Sequence, residues 1–315
     1  MRKFLLNALL FLGIFVIGDR IGGAIFQAYR PIDYQQFIDA KTAFFNEPRE
    51  LDVLIIGDSH AADALDPALF SQVNLKAFNL SVYNSSPFEN YFTTKAALEY
   101  MGAPPKVLIL GTNPIMFNRP LNEGKYTTLL LPFRDKIALT RRSDGGFNAG
   151  SFLVVPREKQ IAKHFFKRIL FDDYTPTRQV DTVYQGYLRF TNQTPDAQWN
   201  RHESDRYTEF NPDQFAYFER TIQLAVEQNI EVILVHPPIW RAHAAGLSES
   251  SSYSQFNSGL DSLVQQYNLH EFPASRTGQL NQDNFRKEEF LNPQHLNNTG
   301  AQRFTKAMLN HLLGG

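Results

Sequence analysis

The feature that most constrains this chain is a short apolar run, residues 51–56, which ends at Gly57-Asp58-Ser59-His60 and passes at once into the helix-compatible residues 61–70. A run of that length closed by Gly and Asp reads as a buried strand, a tight turn and a helix. Two further short apolar strands are expected at 76–80 and 106–110, the second ending in Gly111-Thr112-Asn113-Pro114, with a helix over 88–101 between them. Strand alternating with helix predicts an α/β fold, a three-layer sandwich with a central parallel sheet covered on both faces.

The pattern weakens from about 117 to 211, where Gly, Pro, Asn and aromatic residues dominate. This reads as an irregular insertion over the carboxyl edge of the sheet, with a helix at 157–170. Its aromatics, Tyr187 and Trp199 among them, are expected to form a small core of their own, sugar stacking being the alternative. Regularity returns with a helix at 212–228, a strand at 231–235 ending in His236-Pro237-Pro238, a helix at 253–267 and a strand near 269–272. The loop Asn292-Pro293-Gln294-His295 then leads into a closing helix over 299–312, with Phe304, Met308 and Leu312 on one stripe.

Arg2 and Lys3 precede an apolar run over 4–18 broken only by Asn7, and residues 21–28 continue it after Asp19 and Arg20. The first run alone would span about 22 Å as a helix, the length of a signal-peptide core, and the whole stretch is long enough for an anchor. No clean small-x-small cleavage site precedes Tyr29, which favours an uncleaved signal-anchor over residues 1–30 above a cleaved signal. Its basic flank predicts that end in the cytoplasm and residues 31–315, a single domain, outside the inner membrane, in the periplasm. A short amphipathic helix over 32–46 leads into that domain.

Acids and bases nearly balance, 32 against 31, for a net charge of -1, so no global field recruits nucleic acid and none is expected as a partner. The absence of cysteine excludes disulfides, thiolate nucleophiles and cysteine-ligated zinc. No cofactor or metal is expected.

Ligands of open parallel sheets sit beyond the carboxyl ends of the strands, where Ser59, Asn79, Asn113, His236 and His295 are all expected to lie. A serine between strand and helix suits acyl transfer, because its hydroxyl and its own N–H can approach one carbonyl from two sides. Gly-Asp-Ser alone is weak, since the same tripeptide can simply turn a chain and cap a helix.

The set of motifs carries more. Gly57-Asp58-Ser59, Gly111-Thr112-Asn113 and Asn292-Pro293-Gln294-His295 occur in the order, and over the span 51–312, by which the chain resembles the SGNH (GDSL-type) hydrolases. The resemblance implies an SGNH/flavodoxin-like sheet. The anchor, His60 after the serine, and the ending His295-Leu296-Asn297-x-x-Gly300 are most similar to the branch that includes polysaccharide and teichoic-acid acyl-transfer proteins. Carried over, Ser59 is the nucleophile and His295 its base, and Ser59 N–H, Ser81 N–H and the Asn113 amide form the oxyanion hole. Ser81 stands where the family has a glycine, and Asn292 where it has the acid that orients the histidine. Asn292 can orient an imidazole but supplies no charge, so a Ser-His dyad, help from Asp283, Glu288 or Glu289, and an inactive glycan-binding scaffold all stay open. His60, Asn79 and His236 are candidate substrate contacts, and Asp58 is expected to brace the turn.

The function implied is that of an extracytoplasmic serine esterase or O-acetyltransferase acting on an acyl ester of a cell-surface or exported glycan. If it transfers, a membrane-bound O-acyltransferase partner is implied as well. Two rivals fit less well. Asp58-Ser59-His60 also matches an Asp-x-His metal motif, but two-metal phosphoesterases need further ligands around ions ~4 Å apart, and those motifs are missing from the sequence. An α/β-hydrolase elbow would require Gly where Ala61 stands, and several strands ahead of the serine.

Overall fold

The computed structural model describes residues 2–28, 32–47, 49–119, 121, 131, 180–190, 209–240, 251–272 and 285–313. The expected helix at 157–170, Trp199 and Asp283 lie outside them.

Helix α1 (Arg2–Ala28) is unbroken through Asp19 and Arg20. At 27 residues it is about 40 Å long, more than a hydrocarbon core of ~30 Å requires. Phe4, Leu9, Phe11, Ile14 and Ile17 are each more than half exposed on it. It is thus long and apolar enough to cross a membrane. Helix α2 (Ile32–Thr42) and a 3-10 turn, Ala43–Phe45, lead to the sheet and bury Phe37, Ile38 and Phe44.

The core is a five-stranded parallel sheet in the order β2-β1-β3-β6-β7. Its strands are β1 (Val53–Ile56), β2 (Ala77–Asn79), β3 (Val107–Gly111), β6 (Glu231–Val235) and β7 (His270–Phe272). Because side chains alternate across a pleated sheet, β1 sends Leu54 and Ile56 to one face and Val53 and Ile55 to the other. The first face packs on α5 (Pro87–Tyr100), α6 (Pro212–Val226) and α7 (Ser251–Tyr267), through residues such as Ala97, Phe218, Ile222 and Leu260. The second packs on α3 (Ser59–Ala64), α4 (Pro67–Ser71) and α8 (Asn298–Leu313), through Leu65, Phe70, Phe304 and Met308. Burial on both faces explains why each strand reads as a continuous apolar run. The three-layer expectation holds.

Two local details differ from the sequence reading. The helix expected over 61–70 is split, because Asp66 caps a new helix with its carboxylate on Ala68 N–H and Pro67 occupies the first position. Within the insertion, β4 (Val180–Tyr184) and β5 (Tyr187–Phe190) form a hairpin. Its Gln185-Gly186 turn has both φ angles positive, at 44° and 79°, which suits glycine at the second position. Gln185 O accepts from Asn79 N–H at 3.0 Å, so the hairpin tip closes the outer edge of β2. Tyr187 is 1% exposed, with its hydroxyl on Asp63 O, and is core.

Candidate active site

In the order 2-1-3, the connections from β1 and β3 leave on opposite faces, which opens a crevice at their carboxyl ends. Ser59 follows β1 and Asn113 follows β3. Gly57 and Gly111 decide how deeply α3 sits there. A Cβ on Gly57 would meet Ala61 Cβ at 2.7 Å, and one on Gly111 would meet it at 2.3 Å. The two missing side chains let α3 rest directly on the strand ends, with Ser59 as its first residue. The Ser59 N–H therefore has no acceptor within the helix.

His295 comes from the other end of the chain. It starts β9 (His295–Leu296), which pairs with β8 (Phe290–Asn292) as a small antiparallel ribbon. This ribbon was not anticipated from the sequence. Trp240 N–H donates to Pro293 O at 2.8 Å and pins the turn of the ribbon to the segment after β6. Asn297 ties its exit to α8, donating to Glu288 O at 2.6 Å and accepting from Gly300 N–H at 3.1 Å. Gly300 is required by packing, since a Cβ there would lie 2.2 Å from Glu289 O.

The result is a Ser59 hydroxyl 2.8 Å from His295 Nε2, across 236 positions of sequence. The tautomer follows from Asn292. Its Oδ1 is the target of the Gln294 and His295 backbone N–H groups at 2.9 and 3.1 Å, so that atom must be the amide oxygen. His295 Nδ1, 2.8 Å from the same oxygen, is therefore the protonated nitrogen, and Nε2 turns its lone pair to Ser59. The base is aimed by a neutral amide. A nucleophile, a base and its orienting group thus stand in line at the edge of a 2-1-3 parallel sheet, serine after the first strand and histidine before the last helix.

Serine after the first strand and histidine before the last helix of a parallel sheet is the arrangement that the resemblance to the SGNH hydrolases implies. Solved structures with a similar course include a Bacteroides fragilis protein provisionally assigned as an acylhydrolase, 10% identical, with TM-score 0.42 over 87% of this chain and 93% of that one. A Streptococcus pneumonia protein provisionally named as a platelet activating factor is 12% identical, with TM-score 0.42 over 97% and 98% of the two chains. The SGNH-hydrolase family esterase AlinE4 is 12% identical, with TM-score 0.32 over 85% and 98%. No protein-family model and no curated protein matches the chain. These likenesses are shallow in sequence and in superposition, and the reading of this site rests on its own geometry.

Several other expected residues have different employment. Ser81 N–H donates to Asn79 Oδ1 at 3.1 Å, so the oxyanion donor expected there is already engaged. Asn113 turns its oxygen to Ile115 N–H at 2.9 Å and gives one N–H to Asp58 at 2.7 Å, and the same nitrogen lies 3.1 Å from His60 Nδ1. Asn79, expected to touch substrate, is fully buried and donates to Ala61 O and Leu65 O at 3.0 and 2.9 Å, clasping the end of α3. His236, a second expected contact, turns Nε2 to Glu271 on β7 at 2.9 Å and is 4% exposed. Glu289, considered as a substitute acid, pairs with Arg303 at 2.7 Å, and Glu288 is exposed.

His60 does more than the sequence suggested. Its ring lies against that of His295, centroids 5.0 Å apart, and its Nδ1 is 3.0 Å from Asp58 Oδ2. Asp58 caps α3 by accepting from His60 N–H at 3.0 Å, which matches its expected bracing role. Burial pushes the Asp58 carboxyl up, but its contact with His60, the charge of Arg119 and the Asn113 amide outweigh it and hold it below the usual carboxylate range.

Proposed function

We propose that this chain is a membrane-tethered, extracytoplasmic serine esterase or O-acyltransferase that acts on a short acyl ester, acetyl above all, of a cell-surface or exported glycan. The single observation that carries the chemistry is the Ser59 hydroxyl 2.8 Å from an imidazole nitrogen whose lone pair faces it. As Ser59 Oγ attacks the ester carbonyl, its proton passes to His295 Nε2. The developing oxyanion takes the Ser59 N–H at the start of α3 and the second N–H of Asn113. Collapse of the tetrahedral intermediate expels the alcohol, which leaves with the proton from His295, and an acyl-serine remains. Water or a sugar hydroxyl then gives its proton to His295 and attacks the acyl carbon, and collapse releases acid or acylated glycan while His295 returns the proton to Ser59 Oγ. Hydrolysis and transfer share the first half and differ only in that second nucleophile.

Arg2 and Lys3 in the first turn of α1 favour a cytoplasmic N-terminus at the inner membrane, with the site in the periplasm. If transfer is the reaction, the acyl group must be delivered across the membrane, which calls for a membrane-bound O-acyltransferase as partner. The neutral Asn292 favours a second reading, a glycan-binding scaffold with an impaired site. The test is release of chromophore from a chromogenic acetyl ester by the full-length protein in detergent, with and without a polysaccharide acceptor. The enzyme reading expects turnover that Ser59→Ala abolishes, with acetyl appearing on the polysaccharide if the protein transfers. Equal turnover by Ser59→Ala would remove it.

A further inference from the structure

Asn292 gives His295 an acceptor oxygen and no charge, so the imidazolium formed in catalysis lacks the carboxylate that ordinarily faces such a group. A carboxylate nonetheless lies one ring away. Asp58 is 1% exposed and receives His60 N–H, His60 Nδ1 and the Asn113 amide, at 3.0, 3.0 and 2.7 Å. The His60 ring links it to His295, tilted by 31° at 5.0 Å between centroids.

The charge state of this pair follows from its partners. His60 Nδ1 lies 3.0 Å from Asp58 Oδ2 and 3.1 Å from the Asn113 amide nitrogen; an ionised carboxylate only accepts, and it is the closer partner, so Nδ1 carries the proton. His60 Nε2 is buried with no hydrogen-bond partner among the described residues. A proton there would leave a cationic N–H unpaired in the interior, which costs far more than an unpaired lone pair. The imidazole is thus neutral in the working enzyme, and the Asp58–His60 pair keeps one net negative charge beside His295.

We propose that the buried Asp58 carboxylate, held beside the base by the neutral His60 ring, stabilises the His295 imidazolium in place of the acid that Asn292 replaces. No proton moves along the pair. Asp58 acts through its field, which is strong in an interior of low dielectric, and is a positioning residue for charge. The other charged groups on the elements packed around His295 are committed or outward. Arg303 of α8 holds Glu289, Lys306 and Glu288 are exposed, Lys287 is half-buried, Asp63 of α3 accepts from the Tyr83 hydroxyl, and His311 lies at the far end of α8 against Phe272. Arg119 acts on Asp58 and helps to keep it ionised.

This inference rests on the Ser59–His295 reading, and one measurement separates the two. The full-length protein in detergent is labelled at Ser59 with a fluorophosphonate, and the labelling rate is followed against pH in wild type, Asp58→Asn, Asn292→Asp and the double variant. Asparagine caps a helix as well as aspartate does, so Asp58→Asn keeps α3. Asp58→Ser, another good cap, serves if it does not fold, and a thermal melt checks both. In Asp58→Asn the rate falls about tenfold and the acid limb moves down by about one pH unit. In the Asn292→Asp background the same change costs much less, because the charge is supplied directly. An unmoved acid limb, or equal losses in both backgrounds, reduces Asp58 to a helix cap and leaves the nucleophile intact. Failure of wild type to label at Ser59 overturns both.

Discussion

The amide oxygen of Asn292 holds His295 Nδ1 at 2.8 Å and the backbone N–H groups of Gln294 and His295 at 2.9 and 3.1 Å. One atom therefore shapes the turn and selects the tautomer of the base. A carboxylate can make all three bonds equally well and adds a charge. Asn292→Asp should raise the rate of Ser59-dependent ester cleavage and move its acid limb to higher pH, since an adjacent anion favours the imidazolium. A pH–rate profile of the variant checks this. A limb that does not move would mean that residue 292 does not face the working base.

Gly111 makes room for Ala61, and with it for the helix that carries Ser59. Gly111→Ala forces a Cβ to 2.3 Å from Ala61 Cβ. Overpacking of this kind costs about 1–3 kcal/mol. Thermal melts should show that loss together with reduced ester cleavage, because α3 must lift. Gly102→Ala, where a Cβ meets nothing within 4 Å, is the control. Equal melting by the two variants would contradict the packing argument.

Lys41 on α2 is fully buried, with its Nζ 2.8 Å from Asn79 O. Burial lowers it from 10.5 to about 7, against the opposing pull of the Asp63 charge. Between those two values the folded state binds fewer protons than the unfolded chain, so stability rises with pH across that window. Below it, the folded state bears the whole cost of a buried ammonium. Lys41→Met should therefore melt higher near neutral pH, by roughly 1–3 kcal/mol in stability, and lose most of the rise with pH. Lower melting at every pH would show that the bond to Asn79 outweighs the desolvation.

Much of this was legible in the sequence because it depends on local pattern. Buried parallel strands read as apolar runs, Gly57 and Gly111 mark strand ends under a helix, and the serine and histidine fall where the chain must turn. The departures come from contacts across the chain. Nothing around Ser81 or Asn113 says that their N–H groups meet Asn79 and Asp58, and nothing around His236 names Glu271 on the neighbouring strand. The contact of the His60 ring with that of His295 arises only once α3 settles against the β8–β9 ribbon. The split at Asp66-Pro67 is different, since a capping residue followed by proline is a local signal that a continuous helix reading passes over.

The central claim is that His295 activates Ser59 for attack on an acyl carbon, and the most direct measurement is peptide mapping of the full-length protein after reaction with a fluorophosphonate. The account predicts an adduct on Ser59 that disappears in Ser59→Ala and forms some 10²–10⁴-fold more slowly in His295→Gln. An adduct on another residue, or an undiminished rate in His295→Gln, would contradict it.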